Sequence, residues 1–469
     1  MKSYATLRTL GVLALTALAA CSDGAPTGVI TPPPTPGVDR PDHVPPPALF
    51  DSVYVEATIT CNGTRSPATL SCSTPQSPTT FGGKGTHVRV FTDSVSYSAG
   101  LFQFRMRFRN MLVNRMGTAD GPTTDGIMAF VTAPPTTTGG SGVVAVTDAD
   151  SIGTFTAANQ PYMYYDTLVA SGDTTMWRRW KLNVPGTVNS FQLKVYLSAP
   201  LLPVIVFDKE TGGNRDIWRA NLDGTDLVQL TTQAGTDMDP TAANGRVVWV
   251  SYRNGNAELY SMALTGGGQS RLTVTTTVNE TAPALALNGT KLAYVSDASG
   301  VSKVWIGDFT GTTLTNGAAV TNSLGNVIEN GPAWDRSTRI LYTGTAGATS
   351  DLYFYTPGNA APTLNTISST TAADVEPAFS HDGIRYLWAT TRDAGDTEVY
   401  WRQGTTTLRQ TTHVGVDAQP TFLSDFKMVW VEEGSPTILR WGTYNPTTTG
   451  TIPTGAGSAR NPYGVPLHQ

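Results

Sequence analysis

Residues 374–383 read DVEPAFSHDG, an acid three places before a proline and an Asp-Gly pair five places after it. The proline recurs. Pro240, Pro283, Pro332, Pro377, Pro420 and Pro462 are separated by 43, 49, 45, 43 and 42 residues, a spacing close to the period of a four-stranded propeller blade. Two aromatic series keep step with them: Phe207, Trp249, Tyr294, Tyr342, Trp388 and Trp430, then Trp218, Tyr260, Trp305, Tyr353, Tyr400 and Trp441. Partners in the two series lie eleven residues apart in five units and twelve in the other.

Between the aromatics each unit reads as strand, turn, strand, as in VVWVSYRNGNAELYSMAL (247–264) and KLAYVSDASGVSKVWIGDF (291–309). Apolar and aromatic residues favour the pleat, and Gly-containing turns separate the runs. Leu-Thr or Thr-Thr edges follow in VQLTT (228–232), SRLTV (270–274) and RQTTH (409–413), giving a fourth strand. A single large β-sandwich fits six units in phase poorly.

Proline, Ser-Pro-Asp-Gly-like turn, two strands and Leu-Thr edge together resemble the TolB-type propeller repeat, over residues 204 to about 466. Asp382-Gly383 matches the turn well, with His381 where proline is usual; Asn244-Gly245 and Asn288-Gly289 match loosely, and Asp335-Arg336 lacks the glycine. The fourth unit is degenerate after Tyr355. The repeat region starts with VIVF (204–207), which has no proline-headed strand before it, and finishes with NPYGV (461–465), which is one. The two ends are expected to complete each other in one blade, removing an exposed strand edge, and six blades result.

The resemblance implies that the proline opens the innermost, channel-lining strand, so that the preceding residues stand at one channel mouth. The position three before the proline is Asp237, Glu280, Glu329, Asp374, Asp417 and Ala459. Five acids from six blades are expected to form a ring there, with Asp239 and Glu376 adding to it, their repulsion offset by a cation, solvent or a basic partner. The alternative is that each carboxylate bonds nearby backbone N–H groups and serves the fold alone. Calcium would suit such oxygen ligands, but acids on opposite blades stand far apart for one ion.

Ahead of the repeats, residues 49–200 read as all-β. FQFRMRFR (102–109) alternates, with Phe102, Phe104, Met106 and Phe108 on one face and Gln103, Arg105, Arg107 and Arg109 on the other. VYVEATIT, THVRVF, GIMAFVTA, GVVAVTD and FQLKVYLSA look like further strands, and about seven with Gly-, Pro- and Thr-rich turns suggest an immunoglobulin-like sandwich. The arginine face either pairs with acids as a solvated sheet surface or binds an anionic polymer.

Lys2, Arg8 and the apolar run from Leu10 to Ala20, too short for a bilayer, read as a secretion signal over 1–20. Its end, Leu18-Ala19-Ala20-Cys21, resembles the lipobox of bacterial lipoproteins, which implies lipidation of Cys21; Ser22 next to it implies sorting to the outer membrane. Cys61 and Cys72 remain as a pair suited to a disulfide in an exported protein. Residues 21–48 are a Pro-rich tether. The propeller half, 201–469, holds seventeen Lys and Arg against twenty-four Asp and Glu, which argues against nucleic acid or an anionic membrane surface as its partner.

No catalytic constellation surfaces. GxSxG, P-loop, dinucleotide and zinc motifs are missing, Glu432 and Glu433 alternate on a strand, and His381, His413 and His468 are spaced without an evident metal cluster. The expectation is an all-β protein, an Ig-like β-sandwich followed by a six-bladed β-propeller, without cofactor. It would be anchored in the outer membrane through Cys21 and bind an envelope protein or basic peptide segment at the propeller mouth. The rival reading is a carbohydrate-binding protein or carbohydrate-active enzyme, which would show exposed aromatics clustered on one mouth.

Overall fold

The computed structural model describes residues 53–73, 88–120, 123–131, 133–153, 159–320, 325–336, 338–367, 371–393, 396–423, 427–443 and 449–466. The expected signal segment, Cys21 and the Pro-rich tether lie outside the described residues, as does His468. All the regular structure among them is β.

From residue 204 onward the chain forms six four-stranded antiparallel sheets. Five are sequential meanders whose innermost strands are Asp237–Ala243, Glu280–Leu285, Ile328–Trp334, Asp374–Phe379 and Asp417–Phe422. The sixth joins the two ends of the repeat region: Ser458–Gly464 is innermost, followed by Val204–Thr211, Asn214–Asn221 and Val228–Gln229. We number this clasped sheet blade 1 and the others blades 2 to 6 in chain order. Ser458–Gly464 touches the innermost strands of blades 6 and 2, and each remaining innermost strand touches the next, so the circuit closes. The fold is a six-bladed β-propeller, and the expected clasp is present.

The phasing of prolines and aromatics has one physical cause. Every innermost strand carries a bulge in which the proline and the residue before it together face one residue of the second strand. Proline has no N–H to give to a ladder, and a bulge is a place where none is needed. The residue before each proline, namely Asp239, Ala282, Gly331, Glu376, Gln419 and Asn461, has φ between 44° and 55°. The residue opposite is always the first-series aromatic, Phe207, Trp249, Tyr294, Tyr342, Trp388 or Trp430, and all six are buried. In blades 1 to 5 that aromatic is also the register partner of the second-series aromatic. Blade 6 departs from this: Trp430 pairs with Arg440, and Trp441 with Val429.

The Leu-Thr edges have a definite task. Thr231, Thr273 and Thr411 each accept the backbone N–H of the third strand, from Ile217, Leu259 and Val399, at 2.9 Å. Blade 4, irregular in sequence, still has its fourth strand at Thr363–Leu364. At Asp335-Arg336, Arg336 itself takes the left-handed turn position, with φ 91°.

The first domain packs two sheets. The larger follows the order Ser151–Gly153, Gln160–Tyr165, Ile127–Val131, Val188–Leu201, Val53–Thr64, Thr69–Ser73, with Thr136–Gly140 also paired to Val188–Leu201. The smaller is Val88–Ser98, Leu101–Asn110, Arg178–Asn183, Ala145–Val146. With the small hairpin Thr118–Asp120/Thr123–Asp125 the domain has thirteen described strands against the seven expected, because short strands rich in Gly, Ser and Thr, such as Thr136–Gly140, carry no apolar alternation to announce them. Phe102, Phe104, Met106 and Phe108 are buried in a core shared by both sheets. On the opposite face Arg105 pairs with Asp93 at 2.7 Å, Arg105 and Arg107 lie over the Trp177 ring, and Arg109 bonds the Gly172 carbonyl. Cys61 and Cys72 are register partners joined by a disulfide.

Candidate functional site

The acids three before the prolines stand opposite the end of the second strand: Asp237 faces Ser251, Glu280 Ser296, Asp374 Thr390 and Asp417 Glu432, each the last residue of that strand, and Glu329 faces Gly344, two residues before the end. All five are buried. The expected open ring of carboxylates at the mouth is therefore not formed at these positions; each side chain is buried among the blades, Glu329 against the third strand of the preceding blade. Arg253 bonds Asp237 and Arg392 bonds Asp374, both at 2.8 Å, each arginine coming from two residues past the second strand. Trp388 Nε1 donates to Asp374 (3.0 Å) and Trp430 Nε1 to Asp417 (3.1 Å). Glu329 accepts the Val304 N–H at 2.9 Å with Lys303 at 3.7 Å, and Glu280 accepts a hydroxyl bond from Thr275 at 3.3 Å. A buried carboxylate needs such partners because desolvation of an unpaired charge costs several kcal/mol. Where partners are few, burial raises the pKa: Glu280 is pushed up to about 7 by burial and the nearby Glu258, and Asp417 to about 6 by burial with Glu398 adding.

The positions that meet around the axis are those immediately before the prolines. Gln419 N–H donates to Glu376 Oε2 at 2.7 Å, and Asn461 N–H to Gln419 Oε1 at 2.8 Å. Asn461 Nδ2 donates to Asp208 Oδ1 at 2.6 Å, and that oxygen also accepts the Asp239 N–H at 3.2 Å. Side chain to backbone, these bonds clip blades 5, 6, 1 and 2 to one another. Asp208 also pairs with Arg215 at 2.6 Å, and Arg460 forks onto Glu433 at 2.5 and 2.6 Å.

Three carboxylates, Asp208, Asp239 and Glu376, thus share the channel. Burial pushes Asp239 up to about 7, with Asp208 and then Glu376 raising it further against Arg215. Glu376 lies on the diametrically opposite blade. Burial also raises Asp208 to about 6 despite Arg215, and raises Glu376 despite its backbone bond to Gln419. Asp239 and Glu376 had been placed at the mouth from sequence. Asp208 had not, although its signal is visible: the corresponding second-strand residues are Val250, Val295, Thr343, Ala389 and Val431, and only blade 1 has a charge there.

The face where the innermost strands begin carries Val274, Ile328, Val414 and Val416, all exposed. The described contacts of the first domain run to the other end. Arg115 binds Asp223 (2.7 Å) and Thr225 (3.0 Å) in the turn between the third and fourth strands of blade 1, and Asn114 Nδ2 donates to the Leu202 carbonyl. In an antiparallel meander that turn lies opposite the start of the innermost strand. Tyr252 is the one aromatic among the exposed large hydrophobic residues described, and the two aromatic series lie buried or half-buried in the blades. One group with metal-ligand geometry does occur among the described residues, contrary to the histidine spacing: His413, Asp417 and Glu432.

Fold, bulge and repeat together define a six-bladed, TolB-like propeller protein. No family model matches the chain. It is 30% identical over 168 residues to the Protein TolB homolog of Chlorobium luteolum, covering 36% of this chain and 35% of that protein. It is 25% identical over 147 residues to the Protein TolB homolog of Protochlamydia amoebophila, covering 29% and 31%. The chain therefore spans about a third of the length of the curated relatives it matches. Among solved structures, TolB from Acinetobacter baumannii superposes with a TM-score of 0.48 at 14% identity, covering 56% of this chain and 66% of that one.

Proposed function

We propose that the protein is a non-catalytic, cell-envelope binding scaffold that docks another envelope protein, or a basic peptide segment, on the propeller face where the innermost strands begin. The observation that carries this reading is the pairing, on one face, of exposed Val274, Ile328, Val414 and Val416 with the channel acids Asp208, Asp239 and Glu376. Apolar residues supply desolvated contact and the acids select a cationic group. The first domain, attached at the other end, leaves this face open among the described residues. Export by the segment 1–20 and a lipid on Cys21 would hold the scaffold at the outer membrane through the tether.

The test is fluorescence anisotropy with matched Lys-rich and Glu-rich peptides against the wild type and an Asp239→Asn/Glu376→Gln variant. Binding of the Lys-rich peptide, weakened at least tenfold in the variant and by added salt, is expected. Equal binding of both peptides, or no change in the variant, would overturn the assignment of the channel.

A further inference from the structure

We propose that His413, Asp417 and Glu432 form a binding site for a divalent transition metal of the Zn²⁺ type on blade 6. His413 lies in the segment leading from Thr406–Arg409 to Asp417–Phe422, Asp417 opens the innermost strand, and Glu432 closes the second strand directly opposite it. One imidazole nitrogen and one oxygen of each carboxylate lie within 4.8 Å of one another. Zn–N and Zn–O bonds of about 2.1 Å set a ligand–ligand edge of roughly 3.4 Å, so the three groups would draw closer on binding an ion.

Two further observations separate this cluster from a chance gathering of polar groups. Asp417 is fully buried, its Oδ1 accepts the Trp430 indole N–H, and its Oδ2 has no hydrogen-bond partner among the described residues; Asp237 and Asp374 also leave one oxygen unbonded, but their other oxygen meets an arginine, which Asp417 lacks. Thr411 does not fill the gap, since the one proton of its hydroxyl goes to Glu398 Oε2 at 2.5 Å. A buried carboxylate oxygen without a donor is costly unless a cation meets it.

The comparison across blades is the second observation. Opposite the repeated acid, blades 2 to 5 place Ser251, Ser296, Gly344 and Thr390, whereas blade 6 places a second carboxylate, Glu432. Where blades 2 and 5 then supply Arg253 and Arg392, two residues past the strand, blade 6 has Gly434. Arg440 forks onto Glu432 at 2.8 and 3.1 Å and answers that charge. For Asp417, His413 stands where no arginine does. A nitrogen ligand with two carboxylates suits Zn²⁺ or a neighbouring transition metal better than Ca²⁺ or Mg²⁺, and three protein ligands leave a coordination position for water. His413 is exposed, which gives the ion a route in.

The full chain, stripped with chelator, would be titrated with ZnCl₂ by calorimetry and its retained metal counted by elemental analysis. Wild type is expected to take up one more equivalent of Zn²⁺ than His413→Ala, with Glu432→Gln weakened at least tenfold and His381→Ala unchanged. His413 is on an exposed segment, so its variant reports binding rather than folding. Equal stoichiometry in wild type and His413→Ala, or no uptake by either, would overturn the site.

Discussion

Arg392→Ala isolates what the acid before the proline does. Asp374 is fully buried, and Arg392 Nη2, at 2.8 Å, is its only cationic partner among the described residues. The guanidinium also lies over Trp388 and Tyr400, 5.2 and 5.1 Å from their ring centroids. Removing one member of a buried pair costs about 3–5 kcal/mol, and a partly exposed cation–π contact adds about 0.5–1 kcal/mol. Because the Arg392 side chain is 20% exposed, water can reach the gap, and the lower end, about 3 kcal/mol, is expected. The exposed pair Lys291–Asp308 is the control, with side chains 46% and 40% exposed, and Lys291→Ala should cost about 0–1 kcal/mol. Urea unfolding followed by tryptophan fluorescence reads both. Adding Asp374→Asn to Arg392→Ala should recover part of the loss, since the uncompensated charge is gone. An Arg392→Ala midpoint indistinguishable from that of Lys291→Ala would refute the buried-pair reasoning.

Burial raises the carboxylates of Glu280 and Asp239 to about 7 and those of Asp208 and Asp417 to about 6. The folded propeller thus holds more protons than the unfolded chain between about pH 4 and 7, and stability falls as pH rises through that window; urea midpoints should be higher at pH 5.5 than at pH 8, and the opposite order would contradict these assignments. Reducing Cys61–Cys72, eleven residues apart, should destabilise the first domain by about 2–3 kcal/mol and leave the propeller transition in place; differential scanning calorimetry with and without reductant separates the two. Truncation after residue 457 removes Ser458–Gly464 and bares the edge of Val204–Thr211, so the protein should aggregate or lose its propeller transition in light scattering and fluorescence. Gly383→Ala puts a Cβ 2.8 Å from Arg336 Cγ and the Asp335 carbonyl at φ 70°, and a loss of at least about 1 kcal/mol is expected in the same urea assay.

The propeller was legible because its bulge ties two sequence signals to one geometric event: proline needs a place without a ladder bond, and the residue opposite is a buried aromatic. The acids three places earlier were legible as a pattern but not as a placement. Whether Asp374 points into the channel or into its sheet depends on Arg392 and Trp388, eighteen and fourteen residues away, and spacing alone does not orient a side chain. Asp208 escaped notice because it belongs to the clasped blade, whose innermost strand arrives from the other end of the repeat region. The His413–Asp417–Glu432 cluster crosses a strand pair, so nothing in linear histidine spacing could announce it.

The most direct test of the scaffold reading places a photo-crosslinking residue at Val414 or Ile328, 89% and 52% exposed on the mouth face, and at Thr405 in a turn at the opposite end. Crosslinking in intact envelopes, followed by mass spectrometry, should join the same envelope protein to both mouth positions and not to Thr405, and Asp239→Asn/Glu376→Gln should abolish the adduct. Equal adducts from Thr405, or adducts indifferent to the loss of the channel acids, would contradict docking at this face.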